Sequence, residues 1–186
     1  MRLTTPRVAP LDEADWNDEV REIMQPFVKQ GRVFNIFRTL ANHPELMRRW
    51  MVFANHILAK SSLGARDREI LILRIGWLCR SGYEWGQHVV IGRESGLSDE
   101  DILRIQGGAD AAGWSASEQA LLRAVDELHA DAHVSDSTWA ALAADYSTEQ
   151  MMDIVFTVGQ YNLVSMALNS LGVQLDEGLP GFDLKV

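Results

Sequence analysis

Apolar positions recur at three- and four-residue spacing along nearly the whole chain, and the alternation that marks strands is scarce. Residues 12–30 read as a first helix, with Asp12 as N-cap and Val20, Ile23, Met24 and Phe27 on one face. "NHPELMRRWMVFANHIL" follows, with Pro44 at a first helical position and Leu46, Trp50, Phe53 and Ile57 spaced for one face. "ARDREILILRIGWLC" is apolar over about fifteen residues, a length that favours a buried helix over a strand.

Serine followed three residues later by an acid or glutamine marks a helix start, because side chain and backbone N–H groups satisfy each other there. The signal occurs at Ser81, Ser98, Ser115 and Ser147. The helix from Ser81 is expected to stop at Gly96, and the last helix spans about 148–171, ending before Gly172. "GGADAAGW", 107–114, is a loop, and the tail "QLDEGLPGFDLKV" is free to extend over a neighbouring subunit. The pattern predicts eight or so helices, no strands, and one all-α domain without linker or repeat.

A net charge of −9 without a basic run argues against nucleic-acid binding. The single cysteine, Cys79, rules out an internal disulfide, and no window is long and apolar enough for a membrane span. "MRLTTPRVAPLDEADW" lacks the apolar centre of a signal peptide, so a cytoplasmic protein is expected.

Chemistry concentrates in "CRSGYEWGQH", Cys79 to His88. Glu84 and His88 are four apart and share a helix face, and a carboxylate beside a histidine orients it for moving protons near neutral pH. On one straight helix Glu69 and His88 would point about 100° apart. A break at Ser81-Gly82 lets two helices fold together, so that Glu69, alone in its apolar run, can meet both. The plainer reading stands beside this one: Glu84 completes a capping box, and Glu69 pairs with Arg66 or Arg68 at the surface.

The stretch "RDREILILRIGWLCRSGYEWGQHVVIGRESGLSDEDI", with the flanking "FNIFRTLANHPEL" and "FTVGQYNLVSMALNSLGVQLD", resembles the carboxymuconolactone decarboxylase family, which shares the AhpD alkylhydroperoxidase fold. The likeness covers about 33–177 of a single domain spanning 1–186. It implies an AhpD-like helical bundle, and self-association as a homotrimer or homohexamer. The peroxidase branch uses a Glu, a Cys-x-x-Cys pair and a His. Glu69 and His88 match the first and last, but the cysteine positions hold Ser81 and Glu84. A dithiol cycle needs two thiols, so that peroxidase mechanism is not expected.

The resemblance then implies a cofactor-independent decarboxylase or proton-transfer lyase acting on a small unsaturated carboxylated lactone or keto acid. His88 would be proton donor or shuttle, oriented by Glu84, with Glu69 tuning it. Substrate-binding candidates are Tyr83, Cys79, Arg74, Asn35 and Trp85, with Arg80 an alternative cation. No cofactor, metal, nucleic acid or membrane is expected, and the partner is a small-molecule substrate. Two alternatives remain: an oxidoreductase using Cys79 alone, and a non-catalytic binding protein with the same pocket. His129 and His133 in "HADAH" have metal-capable spacing, although a helix C-terminus also favours histidines. Trp77, Trp85, Phe34, Phe37 and Tyr161 serve either as cavity wall or as plain core.

Overall fold

Helix α4, Ala65–Leu78, is buried on every side from Glu69 to Gly76 and forms the centre of the molecule. The computed structural model describes residues 2–182. Around α4 pack α5 (Gly82–Glu94), α6 (Asp99–Gly107), α7 (Ala116–Asp131) and α9 (Thr148–Leu171). Helix α8, Asp136–Ala143, lies against α7 and α9. At the N-terminal side, α1 (Asp18–Lys29), α2 (Asn35–Leu40) and α3 (Pro44–Asn55) enclose a second core around Met24 and Met47. Among the described residues there are nine α-helices and no strand.

The serine signals behave differently from one another. Ser98, Ser115 and Ser147 each form the complete reciprocal box with Asp101, Glu118 and Gln150. At Ser81 no side-chain cap forms. The last helix ends as expected at Gly172, whose φ of 74° is the left-handed conformation that a glycine takes without steric strain.

Three expectations change. Asp12 caps nothing: residues Glu13–Asp15 make a single 3-10 turn, and α1 begins five residues later with Asn17 accepting from the Val20 N–H at 2.9 Å. In α3 the buried residue is Met47, while Leu46 and Phe53 are exposed, because α3 turns Met47 and Met51 toward α1. Leu46 and Phe53 belong instead to an outer apolar surface, where Phe53 meets Phe156 edge-on at 6.0 Å. The tail, as far as Phe182, folds back on its own chain. Gly86 makes room for it, since a Cβ there would stand 2.5 Å from the Pro180 carbonyl oxygen. Residues 183–186 lie outside the described part.

One polar cluster not anticipated from the sequence fixes the link between α3 and α4. α3 passes into a π-helical turn, His56–Lys60, and Asp153 of α9 holds its far end. The Asp153 carboxylate accepts from the Ser62 N–H at 2.6 Å, the Ser62 hydroxyl at 2.7 Å and the Ser61 hydroxyl at 3.1 Å, with His56 at 3.2 Å. Serines and histidine all bond the aspartate rather than each other, so the cluster is an anchor and not a nucleophilic triad.

Candidate active site

The chain reverses between α4 and α5 through Cys79, Arg80 and Ser81, with Arg80 in the left-handed region at φ 51°. That reversal folds α5 back along α4 and faces Glu69 with His88. His88 Nδ1 lies 2.6 Å from Glu69 Oε2, and its Nε2 lies 2.9 Å from Glu84 Oε1. All three are buried, at 5%, 0% and 4% exposure respectively. Glu69 is also bonded on its other oxygen by Arg68 Nε at 3.2 Å. Both sequence readings of Glu69 are therefore partly right: it pairs with Arg68 and with His88.

Ionised carboxylates only accept hydrogen bonds, so a ring between two of them is satisfied when both its nitrogens carry protons. Burial disfavours that imidazolium, but the charges and hydrogen bonds of Glu69, and then Glu84, outweigh it and raise the His88 pKa to about 10. Tyr161 sets its ring edge-on to His88 at 4.9 Å. Burial, with the nearby Glu84 and Glu69, pushes its hydroxyl well above the ordinary tyrosine range, so it stays a proton donor.

Glu84, His88 and Tyr161 open onto a cavity of about 340 Å³, also lined by Tyr83, Gln87, Gln160, Phe34, Phe37 and Trp50. Glu69 does not line it and stands behind His88. The order inward from the cavity is Glu84 and His88, then Glu69, then Arg68. The tail closes the side near α2: Tyr83 donates its hydroxyl to Asp176 at 2.6 Å, and Gln87 donates to the same oxygen at 2.9 Å.

Residues 44–127 match the carboxymuconolactone decarboxylase family. The match is a similarity over less than half of the chain. Solved structures agree on the fold. An uncharacterized peroxidase-related protein from Ralstonia eutropha JMP134, with an alkylhydroperoxidase AhpD core, is 20% identical over 92% of this chain and 93% of its own, at a TM-score of 0.81. A peroxidase-related protein from Silicibacter sp. TM1040 is 17% identical, covering 95% and 92%, at 0.74. The debrominase Bmp8, in a variant complexed with 2,3,4-tribromopyrrole, is 16% identical over 94% of both chains, at 0.73. No curated protein matches the sequence.

On this AhpD-like fold the chain carries Ser81 and Glu84 where the resemblance sets two cysteines. Glu84 bonds His88, the Ser81 N–H donates to the Gly76 carbonyl at 2.9 Å, and the Ser81 hydroxyl is buried without a partner.

The other sequence candidates lie elsewhere. Arg74 is committed to Asp126 at 2.7 Å and to the carbonyls of Ile105 and Gln106, tying α4 to α7 and α6. Cys79 donates to Asn162 Oδ1 at 3.1 Å, away from the cavity, and burial raises its thiol pKa. Trp85 is core, in tilted ring contact with Trp77 and Phe182. Arg80 lines a separate open cleft with Arg2 and Trp77. Asn35 holds the tail through the Gln174 carbonyl at 3.1 Å. Tyr83 lines the cavity but spends its hydroxyl on Asp176. Helix α7 ends at Asp131 with Ala132 left-handed, so His133 does not continue the face of His129.

Gln160 and Asp176 were not singled out from the sequence. A usable signal exists for the first: Asp153, Thr157 and Gln160 recur at helical spacing on the buried side of an otherwise apolar helix. Asp176 carries no such mark, since its role depends on how the tail folds back.

Proposed function

We propose that this chain is an enzyme that moves a proton to or from carbon on a small organic molecule, without a cofactor. The observation that carries this reading is the unbroken hydrogen-bonded series from Glu84 through His88 to Glu69, open to a cavity at the Glu84 and His88 end. The ring proton on Nε2 can cross the 2.9 Å bond to Glu84, leaving a neutral imidazole whose other N–H stays on Glu69. The transfer neutralises an ion pair, so no charge is stranded in the buried site. Glu84 then presents an acid to the cavity. In the reverse sense, ionised Glu84 takes a proton from a C–H made acidic by a neighbouring carbonyl, and His88 stabilises the resulting charge.

A decarboxylase uses the same parts. The electrons of the broken C–C bond enter the substrate's unsaturated system as CO₂ leaves, and Glu84 with His88 returns a proton to that carbon. The similarity to the family over residues 44–127 supports this form; the cavity gives it less support, because among the described residues no arginine or lysine lines the wall to receive a carboxylate. The debrominase of the same fold holds a small uncharged ring, 2,3,4-tribromopyrrole, and a ligand of that kind suits the aromatic wall. A redox reading on Cys79 has no such support. The thiol lies off the cavity, and burial keeps it protonated, opposite to what a thiolate nucleophile requires.

We also propose that copies of the chain associate through the outer face of α9. Met152, Phe156, Leu163 and Met166 recur there at helical spacing and are 57%, 53%, 54% and 59% exposed.

The test is a panel of small unsaturated lactones, ketones and keto acids in D₂O, with γ-carboxymuconolactone included and CO₂ release followed. Deuterium incorporation or decarboxylation by the unmodified chain, reduced about 100-fold or more in Glu84→Gln and His88→Ala, is the expected result. Equal rates in folded variants would overturn the assignment.

A further inference from the structure

The charges around the cavity do not match a carboxylated substrate. Among the described residues His88 is the one cation lining the cavity, and both of its nitrogens are already bonded to carboxylates. The guanidinium groups nearest by contact are committed too. Arg68 sits behind His88 on Glu69, and Arg32 lies over the Phe34 ring while donating to the Glu177 carbonyl at 2.9 Å. Glu69 and Glu84 are already balanced by His88 and Arg68, so a bound anion would be a third negative group with no free cation, and burying a charge without a partner is strongly unfavourable.

The polar groups that remain suit a different ligand. Gln160 is 4% exposed, lines the cavity, and its amide makes no hydrogen bond with the described residues. The Tyr161 hydroxyl, on a residue 7% exposed, is in the same position. These polar atoms face the cavity rather than protein partners, and Trp50 Nε1 on the same cavity is buried without a partner, so the wall offers free polar groups to a ligand. Gln87, by contrast, is spent on Tyr83 and Asp176. Opposite these groups the wall is aromatic, with Phe34, Phe37 and Trp50.

We infer that the cavity selects an uncharged, ring-sized ligand bearing a carbonyl or hydroxyl group, held by Gln160 and Tyr161, and rejects the carboxylate of the same shape. Tyr161 donates its O–H to the ligand oxygen, and the Gln160 amide supplies a donor and an acceptor. The ring lies against the aromatic wall with its reacting carbon toward Glu84. This last placement rests on the proton-transfer reading; the preference for an uncharged ligand does not.

Calorimetric titration of the full chain near neutral pH with two matched pairs tests the inference: benzamide against benzoate, and pyrrole-2-carboxamide against pyrrole-2-carboxylate. The amides are expected to bind roughly tenfold tighter or more than the acids. Gln160→Leu, shown folded by circular dichroism, should weaken amide binding about three- to tenfold, the loss of one hydrogen bond. The inference is overturned if the acids bind as tightly as the amides. It is equally overturned if no member of either pair binds at millimolar concentration, or if Gln160→Leu leaves amide binding unchanged. Acid preference together with Glu84-dependent exchange would remove this inference alone, whereas amide preference with no exchange on any substrate would remove the proton-transfer reading alone.

Discussion

Glu69, His88 and Glu84 form a group in which one imidazolium satisfies two buried carboxylates, and that arrangement has thermodynamic consequences. The folded pKa of about 10 lies above the ordinary value of 6.5, so the stabilisation from His88 is fully present below pH 6.5 and is lost as pH rises through about 10. Thermal melts should therefore fall across that window, and the decline should flatten in His88→Gln; an unchanged slope would contradict it. The same variant leaves Glu69 buried with Arg68 alone, and breaking such a pair costs about 3–5 kcal/mol. Cys79→Ser is expected to leave turnover unchanged, and lost activity would revive the one-cysteine reading. At this scale the sequence made the pair Glu84 and His88 readable, because their spacing has one geometric meaning on a helix. It did not show that Arg74 is consumed by Asp126, since which cations are free depends on neighbours distant along the chain.

Four identical start signals illustrate what local sequence decides in an element and what it leaves open. Three serines cap their helices even though Asp101 and Glu118 at the third position also pair with Arg66. At α5 the same spacing is present, but the Ser81 N–H is taken by the Gly76 carbonyl and Glu84 pairs with His88 one turn on. Element boundaries such as 148–171 were legible to the residue because capping and a terminal glycine act locally. The faces of α3 were not, because two apolar strips compete and tertiary packing chooses between them. The fold-back of the tail onto α5 was equally hidden. It depends on Gly86, where an added Cβ would meet the Pro180 carbonyl, and on Asp176 as common acceptor for Tyr83, Gln87 and the Asn35 N–H. Asp176→Ala should destabilise the protein by about 1–3 kcal/mol in urea unfolding. Hydrogen exchange should rise in 174–182 in that variant; protection unchanged there would mean the tail is held by other contacts.

For the whole molecule, the all-helical fold was readable from periodicity, while the cavity was not, because it is walled by α2, α3, α5 and α9 together with the π-helical turn. Such a space has no linear signature. The outer face of α9 is the other property of the whole. Four large apolar side chains on one exposed strip are unfavourable in water, and the proposed association would cover them. Phe156→Glu should shift sedimentation toward the monomer, and an unchanged sedimentation coefficient would place any interface elsewhere. Beneath these properties lies the buried series of Glu84, His88 and Glu69, on which the proposed chemistry depends. Its most direct measurement is the ¹⁵N NMR titration of the His88 ring in the unmodified chain. The expected spectrum is that of an imidazolium with both nitrogens protonated at neutral pH, titrating near 10. A ring that is neutral at pH 7.5 and titrates near its ordinary value of 6.5 would show that the carboxylates do not hold it as described.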